Sequence, residues 1–412
     1  MLPILQNASH AIRLGPFVLT PVRHIWLQAL LLSLGAAVSL GITRFAYGLL
    51  LPAMRADLAW SYTLAGGMNT ANALGYFVGA LMTPKLLARW GASTVLVVGA
   101  FLSSIFMALS GFFIETDPLL LQRFLAGVAS ALVFIAGGLL AARLGAQAPS
   151  RSGFLIGLYY GGTGFGIALS AVLVPWALDA SSTQLHGWRW VWWLLALVCL
   201  LASAALVIPA RAMARFTVPT TQAGTGAPVH FRWRAFGYAL AGYTLFGVGY
   251  IGYMTFVVAL LREQGSSAVE VTVFYALLGL AVVASSRIWA GLLDRHRSGR
   301  ALAILNGLLG VATILPALTQ SWPVVLGSGL LFGGVFLSVV ASTTALVRHN
   351  LPHAAWAAGI SAFTIVFAAG QIIGPTVVGW IADGPGGLAR GLVYSALALW
   401  LGAVLAWRQP AL

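Results

Sequence analysis

A single arginine inside the first long apolar stretch is the residue of this chain best placed to do chemistry. Arg44 sits in Gly41-Ile42-Thr43-Arg44-Phe45-Ala46-Tyr47-Gly48. A guanidinium is always charged and offers a planar fork of N–H donors that matches a carboxylate or a phosphate. Holding that charge among apolar residues costs about 2.5–3.5 kcal/mol on membrane-insertion scales, so it calls for a partner. No Asp or Glu lies inside the apolar stretches; Asp57 and Glu270 fall at their outer ends. At 3.6 residues per turn, Gly41, Arg44, Tyr47 and Gly48 share a helix face. The two glycines there make room for a ligand or for a neighbouring backbone. Two readings of Arg44 stay open: direct contact with an anionic or strongly polar solute, or a brace that binds backbone carbonyls.

Other polar and aromatic groups could complete such a site. Tyr243, Phe246, Tyr250 and Tyr253 are spaced to share one face, a pattern that serves packing as well as recognition. Asn69, Asn72, Tyr76, Asn306 and Gln371 must find hydrogen-bond partners in hydrocarbon, with Asn72 and Gln371 the better cavity candidates. Arg287 either snorkels to the membrane surface or pairs near the end of its helix. Catalysis is not expected. The only cysteine is Cys199 and all seven histidines fall in loops or at ends, so no metal-ligand cluster and no nucleophile with a base beside it can be drawn. The sole lysine, Lys85, precedes Leu86, which excludes a phosphate-cradling G-x-x-x-x-G-K-[ST] loop. The chain is expected to be no enzyme and to hold neither cofactor nor metal.

The elements that must position these residues are membrane spans. The 412 residues are 60% hydrophobic and 7% charged, with a mean hydropathy of +0.94. A soluble domain would carry about 25% charged residues. The net charge of +14 is dispersed between apolar runs rather than gathered on one surface, which argues against nucleic acid. Stretches of about 20 apolar residues, enough to cross about 30 Å of hydrocarbon, are read at 25–51, 62–83, 93–113, 118–142, 150–178, 189–209, 233–261, 267–293, 301–319, 322–347, 355–382 and 388–408. Residues 1–24 form an N-terminal segment, 25–209 and 233–412 two sets of six spans, and 210–232, with Pro219, Gly224, Gly226 and Pro228, a flexible linker. The first run is too long for a signal peptide. Arg13, Arg23, Lys85, Arg89, Arg143, Arg151, Arg211, Arg215 and most other basic residues fall on one side. Arg55, Arg189, Arg262 and Arg390 fall on the other. The positive-inside rule then puts both termini and the linker in the cytoplasm of an inner or plasma membrane protein.

The halves also echo one another. Gly162 and Gly166 recur at equal separation as Gly370 and Gly374, and Arg55 and Arg262 follow the first and seventh spans at a similar offset. Parallel repeats of six spans that rock about a central site build one large class of transporters. Trp289-Ala290-Gly291-Leu292-Leu293-Asp294-Arg295 resembles the loop signature of the major facilitator superfamily. That resemblance implies that Asp294 and Arg295 tie helix ends together in one transport state and release them in the other. The equivalent loop of the first half departs from it, with Thr83-Pro84 in place of the acid and base. Leu119-Leu120-Leu121-Gln122-Arg123, continuing to Gly127 and Ala131, resembles the same superfamily's fourth-helix motif, which implies that Arg123 faces the cavity. Gly370-Gln371-Ile372-Ile373-Gly374-Pro375 suits close helix contact with a bend at Pro375. Gly153, Gly162 and Gly166 follow the antiporter spacing, but Ile167 stands where its proline belongs, so an exporter label does not carry over.

Together with Asn69-Thr70-Ala71-Asn72-Ala73-Leu74-Gly75-Tyr76, the Arg44 segment is similar to the YbfB/YjiJ-type branch of the superfamily. The fold expected is all-α, twelve transmembrane helices in two pseudo-symmetric six-helix bundles. The function expected is secondary active transport of a small organic anion or polar metabolite by a monomeric carrier in the lipid bilayer, with protons as a candidate co-substrate. Arg44, Tyr47, Asn72, Arg123, Tyr243, Tyr250 and Gln371 are the expected substrate contacts. Gly370, Gly374 and Pro375 join Asp294 and Arg295 as conformational elements, and Asp57 and Glu270 are coupling candidates. A proton-coupled exporter of amphipathic compounds, and a channel or sensor, remain as alternatives.

Overall fold

The computed structural model describes residues 13–14, 17–18, 21–148, 151–214, 231–352 and 355–412. Residues 215–230 of the linker, and all of the N-terminal segment but a two-residue-per-strand hairpin (Arg13–Leu14 with Phe17–Val18) and the start of the first helix, lie outside them. The rest is helical. In hydrocarbon a backbone N–H has no water to bond, and a helix satisfies its polar groups internally. The helices are α1 (Pro21–Ala36), α2 (Tyr47–Asp57), α3 (Tyr62–Ser110), α4 (Thr116–Ala146), α5 (Ser152–Ala180), α6 (Trp188–Ala214), α7 (Gly237–Glu263), α8 (Ala268–Ile288), α9 (Ala290–Arg295), α10 (Arg300–Leu318), α11 (Trp322–Asn350), α12 (Trp356–Ala382) and α13 (Gly387–Trp407). Among the described residues eleven candidate spans are long and apolar enough to cross a membrane, the first running through α1 and α2. The longest, α3, breaks at Gly91, whose φ of 77° only glycine adopts freely.

The helix ends define two faces. The one at which α4, α6, α9 and α11 end is called the linker face here, and the opposite one the far face. Two far-face helix starts, those of α3 and α8, are capped locally. Ser61 accepts from the Leu64 amide at 3.1 Å, and Ser267 with Glu270 forms a reciprocal capping box at the start of α8.

Glycines set the close helix contacts. A methyl added at Gly162 would strike the Ser33 carbonyl, and one at Gly166 would lie 2.7 Å from that of Ala37, so α5 sits directly against the first span. Gly370 and Gly374 do the same for α12 against the Thr244 and Val248 carbonyls of α7. The recurrent glycine pair therefore has the same mechanical use in both halves, close backbone approach of paired helices.

The first span is not a regular helix. A π-helical turn occupies Ala37–Ile42, where the ladder widens to Thr43 N–H on the Val38 carbonyl and Phe45 N–H on Leu40. It then tightens, with Gly48 bonding Phe45 and Leu49 bonding Ala46. The expected common face of Gly41, Arg44, Tyr47 and Gly48 is therefore replaced. Gly41 abuts Thr163 and Gly166 of α5, Tyr47 donates to the Ala65 carbonyl of α3 at 2.8 Å, and Gly48 abuts Met254 of α7. The glycines make room for neighbouring backbones. Reciprocal bonds between the hydroxyl of each of Ser39 and Ser130 and the carbonyl of the other, both 2.8 Å, tie the π turn to α4.

Candidate functional site

Arg44 emerges at the break in the first span and is 2% exposed. Its Nε and Nη2 are buried and have no hydrogen-bond partner. Those two atoms form one edge of the guanidinium, the edge that offers two parallel N–H bonds to the two oxygens of a carboxylate. The Tyr76 ring lies 5.7 Å from the guanidinium carbon, and the Tyr76 and Tyr250 hydroxyls both lie within the electrostatic reach of the charge. Among the described residues the one close contact between a basic and an acidic side chain is His186 with Asp57, at the far face. Arg44 is thus a desolvated cation with its bidentate edge free. π turns recur at functional sites because they re-aim side chains that a regular helix would bury elsewhere.

Arg123, also 2% exposed, is differently placed. It donates to the Thr43 carbonyl at 2.7 Å and to Asn69 Oδ1 at 3.0 Å, leaving Nε alone without a partner. Its guanidinium lies 5.0 Å from the Tyr47 ring and 5.7 Å from that of Trp192. At the break in the first span the Thr43 carbonyl is taken up from outside by Arg123, and the Phe45 carbonyl, which receives the Gly48 N–H, also accepts from the Tyr275 hydroxyl of α8 at 2.9 Å. Asn69 carries the chain onward, donating to Thr255 of α7 at 2.8 Å. Arg44 and Arg123 are close enough to repel each other.

The remaining expected contacts divide. Tyr250 donates to Gln371 Oε1 at 3.0 Å, joining α7 to α12 beside Arg44. Tyr243, Phe246 and Tyr250 form a continuous stack, with centroids 5.5 and 4.8 Å apart, while Tyr253 turns away to stack on Phe332. Asn72 spends its amide N–H on the Arg123 carbonyl at 3.1 Å and keeps a buried, unpartnered Oδ1. Three residues outside the expected contacts belong to the site. Tyr76 follows Asn72 by one turn of α3, and Phe336 of α11 and Phe367 of α12 extend the aromatic wall. The one-turn spacing from Asn72 was the available signal for Tyr76; the two phenylalanines gave none.

At the far face the two halves of the chain are locked together. The Asp383 carboxylate accepts from the Tyr62 amide (2.7 Å), the Thr63 amide (2.8 Å) and the Thr63 hydroxyl (2.6 Å), capping α3 from the end of α12. Tyr62 also donates its hydroxyl to Glu263, and Arg55 lies 3.7 Å over its ring. Thr70 reaches the Ile372 carbonyl at 2.7 Å, and a methyl added at Gly66 would strike the carbonyl of Pro375. Asp294 and Arg295 of the linker-face loop are exposed, and neither is in an ion pair. There Arg287 lies 4.7 Å from the Phe154 ring, bridging α8 and α5. Of the coupling candidates, Asp57 receives Trp188 Nε1 and contacts His186 Nδ1, each at 2.5 Å, and Glu270 is held in its capping box.

Partial burial would raise the Asp383 carboxyl, but the bonds from Thr63 and Tyr62 and the charge of Arg55 outweigh it and hold it below the ordinary carboxylate value. A form open at the far face, with Asp383 in water, binds the proton more tightly. The latch is therefore complete above pH of about 4 and is lost as pH falls through the depressed value. With a cysteine placed at Thr70, labelling by an impermeant maleimide, normalised at each pH to that of the unfolded protein, is expected to stay constant between pH 8 and 6. Asp383→Asn is expected to raise it several-fold at pH 7, and unchanged labelling would show that the latch does not hold the far face shut.

A family model described as "Uncharacterised MFS-type transporter YbfB" matches residues 36–407. Among solved structures, a bacterial homolog of the human lysosomal transporter Spinster, in an inward-facing and occupied conformation, superposes with a TM-score of 0.69 at 16% identity, covering 94% of this chain and 97% of that one. The nucleoside transporter NupG gives 0.68 at 14% identity over 92% and 98%. The E. coli fucose:proton symporter FucP gives 0.61 at 18% identity over 94% and 98%. At these identities the likeness is one of fold.

Proposed function

Because the chain belongs to the YbfB-type family of major facilitator superfamily transporters, we propose that it carries a small organic anion across the membrane by alternating access, with Arg44 as the anion-binding group. The observation that supports this most is the free Nε–Nη2 edge of a guanidinium buried to 2% exposure. A brace would spend those donors on carbonyls, as Arg123 does on Thr43. Arg123, Asn69 and Thr255 hold the broken first span in shape and connect it to the far-face closure. The two six-helix bundles, 25–209 and 233–412, rock about this point, and the bonds of Tyr62, Thr63 and Thr70 to Asp383 and Ile372 support a state closed at the far face. The basic loops put the linker face in the cytoplasm. Anion arrival at Arg44 cancels an uncompensated charge between the bundles, which lowers the cost of sealing the cavity for the crossing.

Counterflow in proteoliposomes tests the reading. Vesicles preloaded with unlabelled acetate, benzoate, succinate or phosphate should accumulate the matching labelled anion, with saturation, for at least one of the four. Arg44→Ala should lose at least nine-tenths of that rate. Flux that does not saturate, or that survives Arg44→Ala, would overturn the proposal.

A further inference from the structure

We infer that the anion is an aromatic monocarboxylate, bound with its carboxylate on the Arg44 edge and its ring against the wall formed by Tyr76, Tyr250 and Phe336. This rests on the reading of Arg44 as the anion site and names the class of ligand for it.

The hydrogen-bond argument gives the cargo a single carboxylate. Of the two buried guanidiniums, only Arg44 has a free bidentate edge, since both terminal nitrogens of Arg123 are bonded within the protein. A second carboxylate, or the further oxygens of a phosphate, would find no second free fork there, and buried acceptors left without donors are unfavourable.

The wall argument limits the rest of the molecule. Tyr250, within reach of Arg44, stacks on Phe336 at 5.1 Å and 19°. Phe367 lies against Tyr243, Phe246 and Tyr250 at 5.0, 5.3 and 5.6 Å, with interplanar angles of 21°, 10° and 20°. These near-parallel rings stack on one another and give the surroundings of Arg44 an aromatic character that suits a planar ring better than a puckered saturated one. Few polar groups are free on this wall. The Tyr250 hydroxyl is given to Gln371, Tyr243 bonds Thr343, and the Asn72 amide N–H is given to the Arg123 carbonyl. Asn72 Oδ1 is unpartnered, but the several hydroxyls of a sugar acid would outnumber the free groups here.

The test is thermal stabilisation of the purified full chain in detergent, titrated with benzoate, cyclohexanecarboxylate, succinate, glucuronate and benzyl alcohol, because stabilisation reports the occupancy of each ligand. Benzoate is expected to half-saturate at a concentration at least tenfold below the other three anions, and benzyl alcohol to give no shift. Tyr76→Phe should keep the benzoate preference over cyclohexanecarboxylate, while Tyr76→Leu should move that ratio toward one. If cyclohexanecarboxylate, succinate or glucuronate equals or exceeds benzoate in wild type, and its shift disappears in Arg44→Met, the aromatic monocarboxylate falls and the anion site stands. If the benzoate shift persists in Arg44→Met, if benzyl alcohol matches benzoate, or if no anion gives a shift, the anion site itself is overturned.

Discussion

Arg44→Met is expected to abolish anion binding while leaving the ligand-free protein at least as stable as the parent. Truncating one partner of a buried, hydrogen-bonded charge pair costs about 2–5 kcal/mol, which at about 1.4 kcal/mol per decade is a loss on the order of 30- to several-thousand-fold. The opposite sign in the empty protein follows from the same geometry. Nε and Nη2 make no hydrogen bond, so methionine removes a desolvated charge and forfeits little in return. Arg44→Lys keeps the charge but replaces the fork with a point donor, and is expected to lose most of the affinity. Melting temperature without ligand and the anion titration, read on the same preparations, separate the two effects. A brace would give a lower melting temperature for Arg44→Met together with unaltered affinity.

The second large effect is expected at Arg123, and it is one of stability. Arg123→Met leaves the Thr43 carbonyl and Asn69 Oδ1 buried and bare. Each unsatisfied buried group costs about 1–3 kcal/mol, so a destabilisation of about 2–5 kcal/mol is expected, set against relief of its repulsion with Arg44. Because Thr43 belongs to the break that aims Arg44, affinity should also fall, and Arg123→Lys should restore stability only in part. Scans at one fixed rate make the comparison meaningful where unfolding is irreversible. An Arg123→Met protein as stable as the parent, with anion affinity reduced like that of Arg44→Met, would move Arg123 from brace to substrate contact.

Much of the architecture was legible because hydrocarbon imposes few solutions. A run long enough to cross it must be helical, and the equal separation of the two glycine pairs marked helices that approach closely in both halves. Spacing failed where the helix itself does. The shared face assigned to Gly41, Arg44, Tyr47 and Gly48 assumed a constant 3.6-residue period, and the π turn at Ala37–Ile42 removes it. No single residue in that segment announces the break. It is held by partners distant in sequence, Ser130, Arg123 and Tyr275, which hydrogen-bond its backbone carbonyls. Arg44 stood out because a lone charge in apolar surroundings is visible in one dimension. Whether a charge is spent or free is visible only in three, and this is what separates Arg44 from Arg123. The far-face latch was likewise hidden, since Asp383 reads as an ordinary loop acid until it is seen to cap α3.

Two parallel, unspent N–H groups on one edge of a buried guanidinium are what the transport proposal stands on. A cryo-electron microscopy map of the protein equilibrated with benzoate examines them directly. The expected result is carboxylate density within hydrogen-bond distance of Arg44 Nε and Nη2, with a flat ring beside Tyr76 and Tyr250. Density showing that guanidinium edge closed on a main-chain oxygen or an acidic side chain, with benzoate elsewhere, would contradict it.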